Sequence, residues 1–206
     1  MAGTVLTQTD CKNLKLFRRG KVRDVYDLGE ELLIVSTDRI SCFDVVLSDG
    51  IPDKGAVLTR LSCFWFDFLK NTVASHFITA DLEKFPASAA AYAGQLAGRS
   101  MLVKKSKALP VECIVRGYLS GSGWKEYKTN GSICGIQLPA GLQESSKLPE
   151  VIFTPSTKAE QGHDINVSSD YVEKQLGSEV TQKIRELSIA IYTKAADFAL
   201  GKGIII

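Results

Sequence analysis

The sequence has no uninterrupted apolar run approaching the ~20 residues that span a bilayer, and its first residues, MAGTVLTQTD, form neither a basic nor an apolar export region. The expectation is a soluble, unexported protein. Paired cysteines are also missing: Cys11, Cys42, Cys63, Cys113 and Cys134 are odd in number, scattered and without a CxxC, which argues against a zinc ribbon and for a reducing cytosol. The two histidines, His76 and His163, stand far apart and make no ligand pair. There is no excess of one charge either. Twenty-five basic against 23 acidic residues leave +2, too little to suggest a nucleic-acid or membrane partner, so any anionic ligand has to be held locally. No GxxxxGK[ST] occurs, which excludes a Walker A loop, and no HRD or DFG triplet marks a protein kinase.

What is present suits a globular chain of one domain or two lobes, since 206 residues, 45% of them apolar, suffice for a core. Residues 22–28 and 31–37 are rich in β-branched and aromatic side chains around Gly29-Glu30, and read as a hairpin. From Gly55 to Lys70, Val57, Leu58, Leu61, Phe64, Trp65, Phe68 and Leu69 recur at helical spacing, a stripe expected to pack into the core. The Ala/Gly-rich stretch from Pro86 to Gly98 reads as a surface loop, and strands are expected at 100–104 and 111–119 around a candidate hinge at 108–110. The polar, Gly- and Pro-punctuated segment from Gly131 to Gly162 reads as a long functional loop. Helical periodicity returns after Ser168, with Val180, Ile184, Leu187, Ile191, Ala195 and Phe198 on one face, Ser178 as N-cap and Gly203 as terminator. Ile204–Ile206 then begin like a buried strand.

Four segments carry chemistry. In Arg18–Asp24 a glycine precedes a strand on which Lys21 and Arg23, two apart, share a face suited to a polyphosphate; a solvated basic hairpin is the alternative. Ser36–Asp44 sets hydroxyls, Arg39 and two carboxylates after a strand, where ligands are commonly met, although an Asx or Ser turn that satisfies its own backbone is the simpler explanation. Val115–Gly123 runs a strand bearing Arg116 into a Ser/Gly loop and a short helix at Trp124–Lys128, so a guanidinium and free helix N–H groups can meet an anion. A structural ion pair of Arg116 is the rival reading. Phe153–Asp164 clusters Lys158, Glu160, His163 and Asp164, suited to a zwitterion or simply to water.

Taken together, RGKVRDVYDLG, STDRISCFDVVLSDGIPDKGAVLTRLSCFWF, PVECIVRGYLSGSGWKEY and LPEVIFTPSTKAEQGHD occur in the order and spacing of the SAICAR synthetases, and the chain resembles that family from about Gly20 to its last residue. The resemblance implies an α+β fold of two lobes, a β-rich ATP-binding lobe over 1–107 and an α+β lobe over 108–206, with ATP between them. It implies that Gly20, Lys21 and Arg23 cover ATP phosphates, that Lys104 and Glu112 flank the adenine-reading hinge, and that Asp44, Arg116 and Ser122 hold the imidazole nucleotide. Lys158 and Asp164 match positions near the reacting carboxylate and aspartate and are the implied catalytic pair. The implied reaction joins L-aspartate to the carboxylate of CAIR through an acyl phosphate, using ATP and Mg2+, in the cytoplasm; the partners are these small molecules, and nothing fixes an oligomeric state.

Members of the family also carry a strand with D-x-K-x-E-F-G, a later acidic pair and an S-S-R segment, which supply metal-binding carboxylates and a further arginine. None of these occurs within the 206 residues. The expectation is therefore an incomplete second lobe, no metal ligands and little turnover from the chain as it stands. A non-catalytic nucleotide-binding protein of the same fold is the alternative, ahead of a small-molecule kinase.

Overall fold

The computed structural model describes residues 5–42, 45–158 and 164–206, which divide into two units, Met1–Lys107 and Ala108–Ile206. The first is built on a five-stranded antiparallel sheet. Its strands are β1 (Lys15–Arg19), β2 (Arg23–Asp27), β3 (Glu31–Ser36), then, after the short hairpin β4 (Ser41–Cys42) and β5 (Val45–Val46) and the helix α1 (Lys54–Leu69), β6 (Phe77–Thr79). Two single-turn helices, α2 (Ala87–Ala90) and α3 (Ala93–Leu96), lead into β7 (Ser100–Lys104), and the spatial order is β1-β2-β3-β7-β6. The β2–β3 hairpin turns at Gly29, whose φ of 97° lies in the left-handed region that glycine enters without strain.

Strand periodicity explains the core of this unit. Leu33 and Val35, two apart on the central strand, have no exposure and pack with Tyr26, Leu102, Ala89 and Leu96. The stretch expected to be a surface loop thus supplies core: Pro86 opens α2, and the small or apolar residues of α2 and α3 seal one sheet face. Ala89 and Leu96 are the residues that reach the core, while most of the other alanines and both glycines of the stretch stay exposed, so its composition reads as surface.

The helix over 54–69 agrees with its pattern to within a residue, but its apolar stripe does not lie in the core. Its buried positions are Gly55 and Thr59, while Val57, Leu61 and Phe64 stay 42–53% exposed. Gly55 sets this rotation, because a Cβ there would stand 2.1 Å from the carbonyl oxygen of Ser36. The helix approaches β3 through its smallest residue, and farther along Phe66 stacks on Phe77 of β6 at 5.0 Å.

In the second unit, β8 (Val111–Glu112) and β9 (Val115–Tyr118) are followed by α4 (Gly121–Asn130), the hairpin β10 (Ser132–Ile133) and β11 (Ile136–Gln137), then β12 (Lys147–Phe153), β13 (Ser156–Thr157), α5 (Ser169–Leu176) and α6 (Ser178–Leu200). β9 pairs with β12 and β8 with β13, both antiparallel, so the single strand expected over 111–119 breaks where it changes partner. The segment expected to be one long loop from Gly131 holds four strands; Ile133, Leu148 and Ile152 pack with Leu119 and Tyr127. Its apolar residues are spaced by turns too short to show a period.

α6 packs on β9 and β12 and α5 packs on α6; α5 is capped by Ser168, whose hydroxyl accepts from the Tyr171 N–H, whereas α6 follows Gly177 without a side-chain cap, and Ser178, expected as its N-cap, is already helical. α6 ends at Leu200, and Gly203 takes the left-handed turn with φ 77° while Ile204 N–H bonds back to Ala199. Ile204–Ile206 form no strand and are 45–65% exposed, against the expectation of a buried run. No helix among the described residues is long and apolar enough to cross a membrane.

Candidate functional site

Gly20, Lys21 and Arg23 come together in one turn of the first unit, the connection between β1 and β2, closed by the Gly20 N–H on the Arg23 carbonyl at 2.8 Å. Lys21 and Arg23 are exposed at its rim. Beneath the turn lies a cluster that sequence reasoning did not assemble. Asp24, with no exposure, accepts from Arg39 Nη2 at 2.8 Å, Arg19 Nε at 3.2 Å, and the N–H and hydroxyl of Thr9 at 2.9 and 2.8 Å. Burial pulls this carboxyl up, but the hydrogen bonds from Arg39 and Thr9 outweigh it and hold it below the ordinary aspartate range.

Lys104, also expected at the nucleotide, sits at the end of β7 opposite Glu31, whereas Arg23 pairs with Ser36, so the two lie at opposite ends of the β3 ladder. In the segment Ser36–Asp44, Asp38 and Arg39 are tied into the fold. Asp38 accepts from the N–H groups of Leu6 and Gly55 and pairs with Arg99 at 2.9 Å, which holds the start of α1 without any local side-chain cap. Desolvation raises its pKa, and these donors lower it further, to a net depression. Asp44, Glu160 and His163 lie outside the described residues.

In the second unit Arg116 and Ser122 do meet. Arg116, on β9, reaches over the first turn of α4 and donates to Ser122 Oγ at 2.8 Å, Thr154 Oγ1 at 3.1 Å and the Ser120 carbonyl at 3.3 Å. All three partners are neutral. The helix N-terminus adds a partial positive charge; Gly121 takes a left-handed φ of 56°, and Gly123 lets Arg116 lie close, since a Cβ there would be 3.0 Å from Arg116 Nε. A half-buried guanidinium with no carboxylate partner among the described residues, at the start of a ten-residue helix, offers positive charge of the kind that suits an anion. Thr154, fully buried, was missed because a threonine 38 residues from Arg116 shows no local signal.

The third group stands on the small β8–β13 sheet. Glu112 pairs with Ser156, and Thr157 is tied to Ile165 by the Thr157 N–H on its carbonyl at 2.9 Å and the Ile165 N–H on Thr157 Oγ1 at 3.1 Å. Lys158 and Asp164, the next residue on each side, therefore leave this stem at the same end. Glu126 of α4 braces it, accepting from the Asn166 amide and the Cys134 N–H, each at 2.8 Å. Burial and then the Glu126 charge, against the opposing pull of Arg116, push the Cys134 thiol up to about 11, which favours its protonated form. No group of three or more His, Cys, Asp or Glu able to hold a metal occurs among the described residues.

The family model described as SAICAR synthetase matches residues 16–206. The phosphoribosylaminoimidazole-succinocarboxamide synthase of Thermodesulfovibrio yellowstonii is 61% identical over 98% of this chain and 69% of its own length. That of Geobacter sulfurreducens is 61% identical over 100% of the chain and 70% of its length. Among solved structures, the SAICAR synthase of Saccharomyces cerevisiae complexed with SAICAR superposes with a TM-score of 0.90 at 44% identity, over 98% of this chain and 69% of that one. A type-2 SAICAR synthetase in complex with ADP has a TM-score of 0.70 at 24% identity, over 92% of this chain and 70% of its own, a likeness of fold alone. The chain thus spans about seven-tenths of the length of these relatives. With α+β units, a family match from the first strand to the last residue and identities near 60%, the chain belongs to the SAICAR synthetase family, carbon–nitrogen ligases of purine biosynthesis.

Proposed function

We propose that the protein joins L-aspartate to CAIR at the expense of ATP, forming SAICAR, ADP and phosphate. The observation that carries this is the Arg116 corner: a guanidinium whose partners among the described residues are neutral, at a helix N-terminus, suits an anionic group of the imidazole nucleotide, and a relative at 44% identity is complexed with SAICAR. In this reading Ser122 is a second donor there and Asp44 contributes from outside the described residues. The Gly20–Arg23 turn, with Lys21 and Arg23 at its rim, serves the phosphates of ATP, and Lys104 and Glu112 serve its base. Lys158 and Asp164, leaving one stem side by side, handle the reacting carboxylate and the aspartate amine.

The chemistry has two steps. A carboxylate oxygen of CAIR attacks the γ-phosphorus and ADP leaves, giving a mixed anhydride. The aspartate amine then attacks the acyl carbon, the amine loses a proton, and phosphate departs with the oxygen it took from the carboxylate. The first step brings a carboxylate against a triphosphate and the second develops charge on the acyl oxygen, so cations at fixed positions do most of the work. Lys158 suits the developing charge on the acyl oxygen, and Asp164 orients the amino group of aspartate, which gives up one proton to become the attacking amine. Among the described residues no three His, Cys, Asp or Glu side chains gather to hold magnesium.

The test is an isotope experiment with CAIR carrying 18O in its carboxylate. One label should pass to phosphate for each amide formed, with ADP release dependent on aspartate. A phosphorylated acceptor as end product, or phosphate without label, overturns the proposal.

A further inference from the structure

The four carbonyl oxygens of the Gly20–Arg23 turn are all occupied from the protein side. Arg39 Nη2 takes that of Gly20 at 2.8 Å and Arg39 Nε that of Lys21 at 3.1 Å. The N–H and hydroxyl of Thr37 take that of Val22 at 3.1 and 2.8 Å, and the Gly20 N–H takes that of Arg23. Arg39 is in turn held by Asp24 at 2.8 Å and by the Thr7 carbonyl, with its side chain only 11% exposed.

We propose that Arg39 is a positioning residue for the nucleotide: it touches no phosphate itself and sets the polarity of the turn that does. A trans peptide points its C=O and N–H in opposite directions, and the described chain has no cis bonds. Drawing the carbonyls of Gly20 and Lys21 onto the guanidinium therefore turns the N–H groups of Lys21 and Val22 away from it. A turn whose carbonyl dipoles face inward repels an anion less and presents amides to it, the arrangement of backbone anion nests. Asp24, shared by Arg39 and Arg19, offsets part of their charge, and the Arg39 fork is spent on carbonyls, so the effect works chiefly through the backbone. The guanidinium is required for its fork, which serves two carbonyls and a carboxylate at once, whereas an ammonium would keep the charge and lose the geometry. The inference rests on the reading of this turn as the ATP phosphate loop.

The experiment measures calorimetric affinities of ATP and of SAICAR, with melting temperatures, for Arg39→Lys, Thr37→Val and Lys21→Ala. Arg39→Lys should weaken ATP tenfold or more and leave SAICAR within twofold. Thr37→Val, which frees only part of one carbonyl, should weaken ATP about threefold by loss of one neutral hydrogen bond. Unchanged ATP affinity in Arg39→Lys, or equal loss of both ligands, overturns the inference. If Arg39→Lys does not fold, Thr37→Val decides it, with unchanged ATP affinity as the contrary result. Lys21→Ala separates this from the parent reading: if it leaves ATP untouched, the turn is not the phosphate loop and both fall. If it weakens ATP while Arg39→Lys binds normally, the role of Arg39 alone is wrong.

Discussion

Single residues hold the first unit together where no sequence period points to them. Gly55 lies against the Ser36 backbone at a spacing no other residue tolerates. Gly55→Ala should cost about 3 kcal/mol or more, since the clash is with a main-chain carbonyl that cannot swing aside; a loss under ~0.5 kcal/mol in denaturant melts would contradict the packing described. Asp24 and Asp38 set the acid limit. Both carboxyls titrate below their ordinary 3.8 in the folded protein, so near pH 3 to 4 the unfolded chain binds more protons than the folded one. Their contribution is complete above the unfolded value and is lost as pH falls through the depressed folded values. Stability should fall on acidification below about pH 4, by up to ~1.4 kcal/mol per pH unit for each group. Asp24→Asn should flatten that limb in melts taken from pH 6 to pH 2, and an unchanged slope would contradict the coupling.

At the scale of elements, the hairpin, α1 and β7 were legible because each repeats its pattern over five or more residues. Shorter elements were not: α2 and α3 are single turns, and β8, β10, β11 and β13 are two residues each, set by their partners rather than their own composition. The stripe on α1 was read correctly as helical and wrongly as core, for the sheet receives Gly55 and Thr59 instead. The candidate site divides the same way. Arg116 and Ser122 sit six residues apart and could be joined from sequence, but Arg39 with Asp24, and Glu126 with Asn166, are 15 and 40 residues apart. The brace on the Thr157–Ile165 stem gives a prediction at this scale. Glu126→Ala should raise amide exchange at Ile165 and Cys134 and cost about 1–3 kcal/mol, as an Asn166 amide and a Cys134 N–H lose their acceptor. Glu126→Gln, which keeps one oxygen, should recover part of that, and unchanged exchange in both variants would show that the stem stands without it.

For the whole molecule, near-neutral charge excluded a general attraction for polyanions, and the structure answers with local devices in each unit. The first sets a turn with its carbonyls turned inward, and the second a guanidinium at a helix start. The Arg116 corner carries the functional reading, and the most direct measurement compares SAICAR and ADP affinities of the unaltered chain and of Arg116→Ala by calorimetry. Loss of a charge-assisted contact of ~1.5–3 kcal/mol corresponds to roughly 10- to 150-fold weaker SAICAR binding, with ADP affinity within about threefold and the melting temperature little changed. Equal weakening of both ligands, or SAICAR binding indifferent to Arg116, would contradict the assignment of that corner to the imidazole nucleotide.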